Sequence, residues 1–412
     1  MKIGMKLTKK LFSIWKSENN LNISSRIRVF FTVLLFINII LPAYPQTKKI
    51  YIPDIPGYKT LKCDFHMHTI YSDGTVWPNF RVVEAIRDGL DVIAVTDHLE
   101  FQAFPEIINK DYNKPYEIAK EEAAKKNNLI VIRGIEISPT IPPYHNNAIF
   151  LKDVNKLPVD YMKQTQKKFV LKDNVKKEEL MAPFLEAQKQ GAFVFYNHPA
   201  YFTWLNIKER DLFTSFHQDL YKKGILKGVE VVNGSYNIDA HRMAEKYNLT
   251  MFGNSDVHGD LLGYKDSHRP MTLVFVKEKT EESIKEALLA RKTAVYVNDY
   301  IIARRPEAEA LFKACISTTM AKMEKSVGNR EPFMKITLEN KSDIKFNLRV
   351  SADYSIKPYP LGQLVLMPYE KKDVVVGGLW NNPAKVELTV DAYNILISPD
   401  KNLQTVFSLN AF

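Results

Sequence analysis

The sequence predicts a large α/β domain of repeated strand–helix units, followed by a small all-β domain. Between about residues 60 and 300, short apolar runs alternate with segments of helical periodicity. Nearly every apolar run in that region ends in His, Asp, Glu or Asn. From Phe333 onward the runs are shorter, alternate apolar with polar residues and are separated by turn signals, which is typical of a β-sandwich.

The predicted strands of the first region are continuous apolar runs, which favours strands covered on both faces. These runs are LKCDFHMH, LDVIAVTDH, NLIVIRGIEIS, GAFVFYNHP, KGVEVVNG, LTMFGNSDVH, RPMTLVFVK and TAVYVND. The predicted helices between them are WPNFRVVEAIRDG, PYEIAKEEAAKKNN, KKEELMAPFLEAQKQG, DAHRMAEKYN and TEESIKEALLARK, several of which end at Gly or Asn. Repeated units of this kind predict a parallel sheet, either doubly wound or closed into a barrel.

The polar residues at the strand ends separate these two possibilities. They are His66 and His68, Asp97 and His98, Glu136, Asn197 and His198, Asn233, and Asp256 and His258. In a parallel barrel all carboxyl ends of the strands share one rim, and active sites are built there. A doubly wound sheet gathers such groups near one switch point, usually beside a Gly-rich phosphate loop, and the sequence contains neither GxGxxG nor GxxxxGK[ST]. The pattern therefore favours a barrel over residues 47–303.

The pattern changes after about residue 300. The segment ARRPEAEALFKACISTTMAKMEK predicts a helical connector over residues 304–332, and the β-like runs that follow predict a small sandwich over residues 333–412. No histidine follows His268, so we expect metal chemistry to belong to the first domain. The second domain is interpreted as a non-catalytic packing or interaction module.

The first 46 residues differ from the rest of the chain. A basic, polar start is followed by the mostly apolar run VFFTVLLFINIIL, which is shorter than the ~20 residues of a transmembrane helix and is typical of a secretory signal peptide. We therefore expect a secreted or periplasmic protein, and an uncleaved N-terminal membrane anchor is the alternative. Membrane contact is expected only in that second case.

Charge and cysteine content exclude some classes of protein. The formal charge is +10, but the leader carries seven Lys or Arg and one Glu, so its removal leaves 50 against 46, or +4. This balance does not indicate a nucleic-acid partner. The two cysteines, Cys63 and Cys315, provide no disulfide framework, and Cys63 is expected to be a buried free thiol.

The stretch DFHMHTIYSDG at residues 64–74 is the first candidate metal site. Alternation along the strand puts Asp64, His66 and His68 on one face, with apolar side chains on the other. Imidazole nitrogens bind Zn, Mn or Fe, and carboxylates can bridge two such ions. A satisfied core histidine, a helix N-cap or a surface strand end would explain any one of the polar strand ends taken alone, but not the whole ordered set.

The ordered set of motifs resembles the PHP (polymerase and histidinol phosphatase) family. The motifs are DFHMHT with Asp73, TDH at 96–98, GIE at 134–136, His145 before an apolar run, NHP at 197–199 and SDVH at 255–258, so the resemblance spans about residues 61–300. It implies a distorted (β/α)₇ TIM-like barrel, two to three divalent metal ions (Zn, Mn or Fe) and hydrolysis of phosphate esters.

The resemblance also implies roles for individual residues. A first metal would be held by His66, His68, Glu136 and Asp256; Glu136 would bridge to a second held by His145 and His198; a third would be held by Asp73, His98 and His258. The catalytic candidates within this set are Glu136, Asp256 and His198. Asp64 and Asp97 precede ligands and are expected to orient an imidazole through its other ring nitrogen.

Other polar and aromatic residues are less specific. Lys265, His268 and Arg269 follow the SDVH motif and are candidates for binding an anionic substrate, with an ordinary basic loop as the alternative. His217 and His241 lie in helical stretches and are expected to be solvated. The aromatic residues near the motifs either stack on a substrate or pack, and packing is preferred; they are Trp77, Tyr144, Tyr196, Tyr201 and Trp204.

These observations predict a metal-dependent phosphoesterase in which a hydroxide that bridges the metal ions attacks phosphorus. The expected partner is a small phosphate ester. A phosphodiester is favoured, because the chain resembles secreted phosphodiesterases, and a phosphomonoester is the alternative. A non-catalytic binding module with the same fold is the alternative from another class.

Overall fold

The structure is a computed structural model that describes residues 49–108, 111–126, 129–164, 169–199, 212–261, 268–320, 331–381 and 383–410. Residues Thr47–Phe412 form one compact unit. The predicted signal peptide and Lys265 lie outside the described residues. Among the described residues, none of the helices is long and apolar enough to cross a membrane.

The first region contains thirteen strands and six helices among the described residues. The strands are β1 Lys59–Asp64, β2 Val92–Val95, β3 Ile130–Ile137, β4 Asn146–Ile149, β5 Met162–Gln164, β6 Phe169–Leu171, β7 Phe193–Tyr196, β8 Leu226–Asn233, β9 Ser235–Tyr236, β10 Thr250–Asn254, β11 Met271–Val276, β12 Thr293–Val297 and β13 Tyr300–Ala303. The helices are α1 Pro78–Arg87, α2 Lys114–Lys126, α3 Lys177–Lys189, α4 Ser215–Lys222, α5 Ile238–Lys246 and α6 Glu281–Leu289.

The central sheet has the order β10-β8-β7-β4-β3-β2-β1-β11-β12-β13. Parallel ladders join β1 to β2, β2 to β3, β7 to β8 and β8 to β10. The structure contradicts a wholly parallel sheet, since β4, β11 and β12 pair antiparallel with both of their neighbours, and β13 pairs antiparallel with β12. The β3–β4 connection is too short for a crossover helix, and Asn298 and Asp299, both with positive φ, make the tight β12–β13 hairpin.

Aromatic side chains fill the interior beneath the carboxyl ends of these strands. Phe65, Phe195 and Phe252 are fully buried, and the rings of Phe195 and Phe252 stack with centroids 4.3 Å apart. Loss of one such ring typically costs about 3–5 kcal/mol of stability. The packed interior therefore gives the loops above it a rigid floor.

No ladder joins β10 to β1 within the described residues, so the sheet is a barrel-like layer with a seam. An isolated parallel bridge between Met67 and Val257 spans this seam. The Asp256 N–H donates to the His66 carbonyl (2.9 Å), and the His68 N–H donates to the Val257 carbonyl (3.0 Å). The seam therefore brings the two His-containing segments side by side.

The C-terminal region consists mainly of strands. It contains α7 Arg305–Cys315, β14 Ile316–Met320, β15 Phe333–Asn340, β16 Phe346–Ser351, β17 Ser355–Lys357, β18 Gln363–Leu366, β19 Lys371–Gly377, β20 Lys385–Ser398 and β21 Lys401–Asn410. One sheet has the order β14-β15-β19-β17. In the other, β20 pairs parallel with β13, so that it extends the central sheet, and it also pairs antiparallel with β16 and β21.

The helical connector is shorter than the prediction over residues 304–332. Helix α7 ends at Cys315, and the β-branched segment from Ile316 pairs antiparallel with β15 instead. Residues 321–330 lie outside the described part of the chain. Cys63 and Cys315 are buried free thiols, as predicted for Cys63, and burial raises the pKa of both.

Candidate metal centre

The nine predicted ligands come from strand ends and from the loops beside them, and the structure brings all nine together. They are His66, His68 and Asp73 after β1, His98 after β2, Glu136 in β3, His145 before β4, His198 after β7, and Asp256 and His258 after β10. They fall into four overlapping groups in which the possible ligand atoms lie within 4.8 Å of one another. The candidate site is therefore one continuous cluster.

The four residues that the resemblance assigns to the first metal, His66, His68, Glu136 and Asp256, lie in contact with one another. Asp256 Oδ1 lies 3.1 Å from His66 Nε2 and 3.0 Å from His68 Nε2, and Glu136 Oε1 lies 3.3 Å from His66 Nε2. Two ligands about 2.0–2.1 Å from a tetrahedral metal are about 3.4 Å apart. The observed separations match that spacing.

Glu136 lies at the centre of the cluster and is fully buried. Its Oε1 is 3.2 Å from His145 Nδ1 and 3.5 Å from His198 Nε2, while its Oε2 is 2.7 Å from His98 Nδ1. The Asn197 side-chain amide donates to Oε1 (2.7 Å) and fixes the carboxylate. Glu136 is thus placed where a bridging carboxylate is needed.

Asp73 forms the outer group with His98 and His258. Its carboxylate oxygens lie 3.4 Å from His98 Nε2 and 3.3 Å from His258 Nε2. His68 also belongs to this group, although the resemblance assigns it to the first metal alone. Gly74 lets the loop approach so closely, because a Cβ there would lie 2.6 Å from the His68 carbonyl carbon.

The donor set fits a cation. His66 Nδ1 is 2.9 Å from Glu230 Oε1 and His68 Nδ1 is 3.3 Å from Ser72 Oγ, so both Nδ1 atoms have acceptors and both Nε2 lone pairs are free to face inward. These two Nε2 atoms are only 3.1 Å apart. Glu136 Oε2 and Asp256 Oδ1 are buried and accept no well-formed hydrogen bond from the described residues. Imidazole lone pairs and carboxylate oxygens repel one another at these distances, and a bound cation would offset that repulsion.

The pKa shifts within the cluster also indicate that it favours positive charge. Burial lowers the pKa of His66, but the carboxylates of Asp256, Glu230 and Glu136 outweigh burial and hold it well above its usual value. Burial raises the pKa of Glu136, but the surrounding histidines, first His98, hold it well below its usual range. Burial, and then the charge of His98, lowers the pKa of His68 to about 4.

Two site residues have unusual backbone conformations. His198 and Asp256 both have positive φ, of 27° and 51°. Non-glycine residues rarely adopt this region, and such strain is concentrated at functional sites. The strand ends therefore turn in a way that aims both side chains into the cluster.

Within the described part of the chain, the side chain of Asp97 reaches an imidazole through Ser72. The Ser72 hydroxyl donates to Asp97 Oδ1 (2.7 Å), which leaves its oxygen to accept from His68 Nδ1. Asp97 also accepts hydrogen bonds from the backbone N–H and the hydroxyl of Thr69. The predicted contact between Asp97 and an imidazole is thus replaced by a His–Ser–Asp chain.

A second chain of the same kind was missed by sequence reasoning. His98 Nδ1 lies 2.8 Å from Ser138 Oγ, and that hydroxyl donates to Glu100 Oε2 (2.8 Å). Glu100 is buried, and it also accepts from the Ser138 backbone N–H and the Tyr161 hydroxyl. The only sequence signal for this hydrogen-bonded chain is that Glu100 closely follows the TDH motif and Ser138 closely follows the GIE motif.

Glu230 was also missed. It accepts from His66 Nδ1, the His198 backbone N–H and the side-chain amides of Asn233 and Asn254, each at 2.9 Å. It is only 1% exposed. A carboxylate in the apolar run KGVEVVNG is the signal that could have found it, because buried carboxylates are rare unless paired.

The structure contradicts the roles predicted for Asp64 and Arg269. Among the described residues, Asp64 has no contact with an imidazole ring. Its carboxylate accepts from the backbone N–H of His66 (3.3 Å), from the backbone N–H and hydroxyl of Ser255, and from Arg269 Nη1 (3.1 Å). Arg269 is 2% exposed and also binds Asp88 (2.8 Å), so its guanidinium is not available to substrate. His268 stacks on Tyr296 with centroids 4.2 Å apart and has no described contact with the cluster.

The prediction that His217 and His241 are solvated is wrong, because both are fully buried. His217 Nε2 donates to the Pro143 carbonyl (2.9 Å), and its Nδ1 accepts from the Thr214 backbone N–H, which closes the start of α4. Burial lowers the pKa of His217 to about 3 and that of His241 to about 4. Helical periodicity placed them correctly in helices but did not identify the inward face.

The cluster is open to solvent on one side. The side chains of His66, His68 and Glu136 are fully buried, whereas those of Asp73 and His258 are 36% and 39% exposed. A substrate must therefore approach from the side of Asp73 and His258. The loops beside these two residues form the wall of the entrance.

Comparisons with known proteins agree with this geometry. Residues 64–263 match the family model of the PHP domain, and residues 319–408 match that of an Ig-like domain. A crystal structure from Bacteroides vulgatus, described as a two-domain protein containing a predicted PHP-like metal-dependent phosphoesterase, is 34% identical with a TM-score of 0.73. The alignment covers 88% of this chain and 98% of that one.

A curated relative is an uncharacterized protein from Methanocaldococcus jannaschii, MJ1295. It is 40% identical over 84 residues, which are 20% of this chain. The match spans 36%, or about a third, of the length of that relative.

Proposed function

The chain belongs to the PHP-domain family, and on that premise we propose that it is a metal-dependent phosphoesterase that prefers phosphodiesters. The observation that carries the proposal is the convergence of His66 Nε2, His68 Nε2 and Asp256 Oδ1 within 3.1 Å of one another, with both Nδ1 atoms already provided with acceptors. This arrangement favours two to three divalent ions such as Zn, Mn or Fe, and their number and identity are part of the proposal.

The nine clustered residues would hold the ions, in the three sets that the resemblance implies. When bound, such ions lower the pKa of water toward ~7 and offset the charge on phosphoryl oxygens. Glu136, Asp256 and His198 form the catalytic floor, with His198 Nε2 3.5 Å from Glu136 Oε1 and 3.8 Å from Asp256 Oδ2.

The surrounding residues hold protons in fixed places. The Nδ1 atom of each of four imidazoles lies near a hydrogen-bond acceptor. The pairs are His66 with Glu230, His68 with Ser72, His98 with Ser138, and His258 with the Asp256 carbonyl (2.8 Å). These contacts keep the other ring nitrogen of each imidazole turned toward the cluster. The buried floor excludes water from behind the site.

The choice of a diester follows from charge. A monoester carries about −1.5 to −2 charges at pH 7, a diester about −1. The loops of residues 69–77 and 99–108, which border the entrance, contain no Lys or Arg to match a second negative charge. The proposal includes export to the periplasm or medium, or anchoring through the leader, which rests on residues 1–46 alone.

Metal analysis combined with ester turnover tests the proposal. We expect the metal-loaded protein to hydrolyse bis(p-nitrophenyl) phosphate with a higher kcat/KM than p-nitrophenyl phosphate, and a chelator to abolish both activities. Glu136→Gln should lower occupancy at two metals at once, whereas the exposed Glu121→Gln should change neither occupancy nor rate, since its side chain is 74% exposed.

Two results would count against parts of this proposal. Fewer than two ions bound under replete conditions, with neither ester hydrolysed, would favour a non-catalytic binding module. A higher kcat/KM on the monoester would instead assign the protein to the phosphomonoesterases.

A further inference from the structure

Large aromatic side chains are exposed on two loops beside the open side of the cluster. Trp77 is 54% exposed, Phe101 38% and Phe104 47%. Trp77 follows the ligand Asp73 by four residues, and Phe101 follows the ligand His98 by three. Contiguous exposed apolar patches on soluble proteins often mark binding sites.

Hydrogen bonds join the two loops to each other and to the entrance. The Ala103 N–H donates to the Ser72 carbonyl (2.9 Å), so the loop of Phe101 and Phe104 lies against the loop of Asp73. The Thr75 N–H donates to the His258 carbonyl (2.8 Å), which places the segment leading to Trp77 beside the exposed ligand His258. The loops that carry the aromatic side chains therefore lie next to the side from which substrate must enter.

Two of the other aromatic residues near the motifs do not share this position. Tyr144 is 7% exposed and Tyr196 is fully buried, so both pack, as preferred from the sequence. Tyr201 and Trp204 lie outside the described residues. Trp77 differs from the packing interpretation, because its side chain is half exposed and its aromatic contact among the described residues is an edge contact with Tyr71, with centroids 6.4 Å apart.

We propose that Trp77, Phe101 and Phe104 form a subsite for a flat, uncharged aromatic group of the phosphate ester, such as an aryl or nucleoside substituent. This inference rests on the proposed function, since it requires the phosphoryl group to bind at the cluster. Exposed aromatic faces stack on planar rings whatever their hydrogen-bonding pattern. Both loops lack Lys and Arg, which disfavours a second phosphate or a charged sugar in this position.

Binding of two non-hydrolysable anions to the metal-loaded protein tests the subsite without turnover. Phenylphosphonate and methylphosphonate present the same head group, and calorimetry gives the affinity of each. We expect phenylphosphonate to bind about tenfold more tightly, the usual order of one stacked ring. Trp77→Ala and Phe104→Ala should each reduce this preference, while affinity for methylphosphonate stays the same.

Trp380→Ala is the matched control, because Trp380 is 59% exposed on the C-terminal region, far along the chain from the loops of the entrance. It should keep the full preference for phenylphosphonate. Equal affinities in the wild type, or a preference that survives both loop substitutions, would overturn the subsite while ester hydrolysis persists. If neither phosphonate binds and no ester is hydrolysed, the proposed function itself fails.

Discussion

Ser138→Ala tests whether the hydrogen bonds behind the cluster control metal binding. The Ser138 hydroxyl connects His98 Nδ1 (2.8 Å) to Glu100 Oε2 (2.8 Å). Without the Ser138 hydroxyl, His98 Nδ1 can hydrogen-bond, among the described residues, only to Glu136 Oε2, which lies 2.7 Å away. That oxygen is one that Glu136 would need in order to bridge two metal ions. The substitution should therefore disturb the ligand His98 without removing it.

The structure sets the size of the effect. Loss of a group that orients a metal-bound imidazole typically lowers metal affinity 10- to 100-fold, or about 1.4–2.7 kcal/mol. Glu100 keeps its bonds from the Ser138 N–H and the Tyr161 hydroxyl, so the metal-free protein should lose only about 1–2 kcal/mol of stability. The fold should survive the change.

Competition with a chelator measures the affinity, and urea unfolding of the metal-free protein measures the stability. Ser342→Ala is the control, because Ser342 is also buried and hydrogen-bonded, to Asn340, but lies in the C-terminal region. It should lower stability without changing metal affinity. If Ser138→Ala behaves like Ser342→Ala, the hydroxyl does not orient His98 and the reasoning is refuted.

Three further outcomes are expected. Glu230→Gln should weaken metal binding 10- to 100-fold, because the amide NH₂ of Gln would face an N–H donor, either His66 Nδ1 or the His198 backbone N–H. Competition with a chelator measures the metal affinity. An unchanged affinity would contradict the role of Glu230. The pKa of His217 in the folded protein is about 3, below its ordinary value of 6.5. The neutral imidazole therefore contributes its full stability above pH 6.5. As the pH falls from 6.5 toward 3, the free energy of unfolding decreases by up to about 1.4 kcal/mol per pH unit. The free energy of unfolding of His217→Gln should depend less on pH over that range than that of the wild type, and parallel curves would disprove this. Removal of the metal ions by a chelator should lower the Tm at pH 7, by the equivalent of about 4 kcal/mol of stability for ions present at 1,000 times their Kd. The decrease in Tm should be smaller in Glu136→Gln. Equal decreases in both proteins would show that Glu136 binds no metal.

The sequence predicted the inward-facing residues better than the groups behind them. His66, His98 and Glu136 stand out because His and Glu at the ends of apolar runs have few structural uses, and strand ends meet at one rim. Ser138 and Glu100 have many uses, so their connection to His98 appears only in three dimensions. Residue type thus identifies a candidate ligand but not its hydrogen-bond partner.

Strand direction was also unreadable from the sequence. The runs that became β11 and β12 are as continuously apolar as the parallel strands, because burial on both faces produces the same composition in either direction. Only turn signals such as Asn298-Asp299 carry directional information, and they occur at few connections. The domain class was therefore predictable, but the mixed sheet was not.

The seam between β1 and β10 explains why several polar residues near the motifs do not face the site. Arg81 is fully buried and donates to the carbonyls of His68 (2.9 Å) and His258 (2.9 Å), so it ties the first strand end to the last. Asp64 and Arg269 form a second connection across the same gap through Ser255. Where no backbone ladder holds two strands together, buried charged side chains must hold them, because the carbonyls at the gap would otherwise lack partners. Arg269, which the sequence suggested for substrate, thus helps to keep the candidate ligands of two strands side by side.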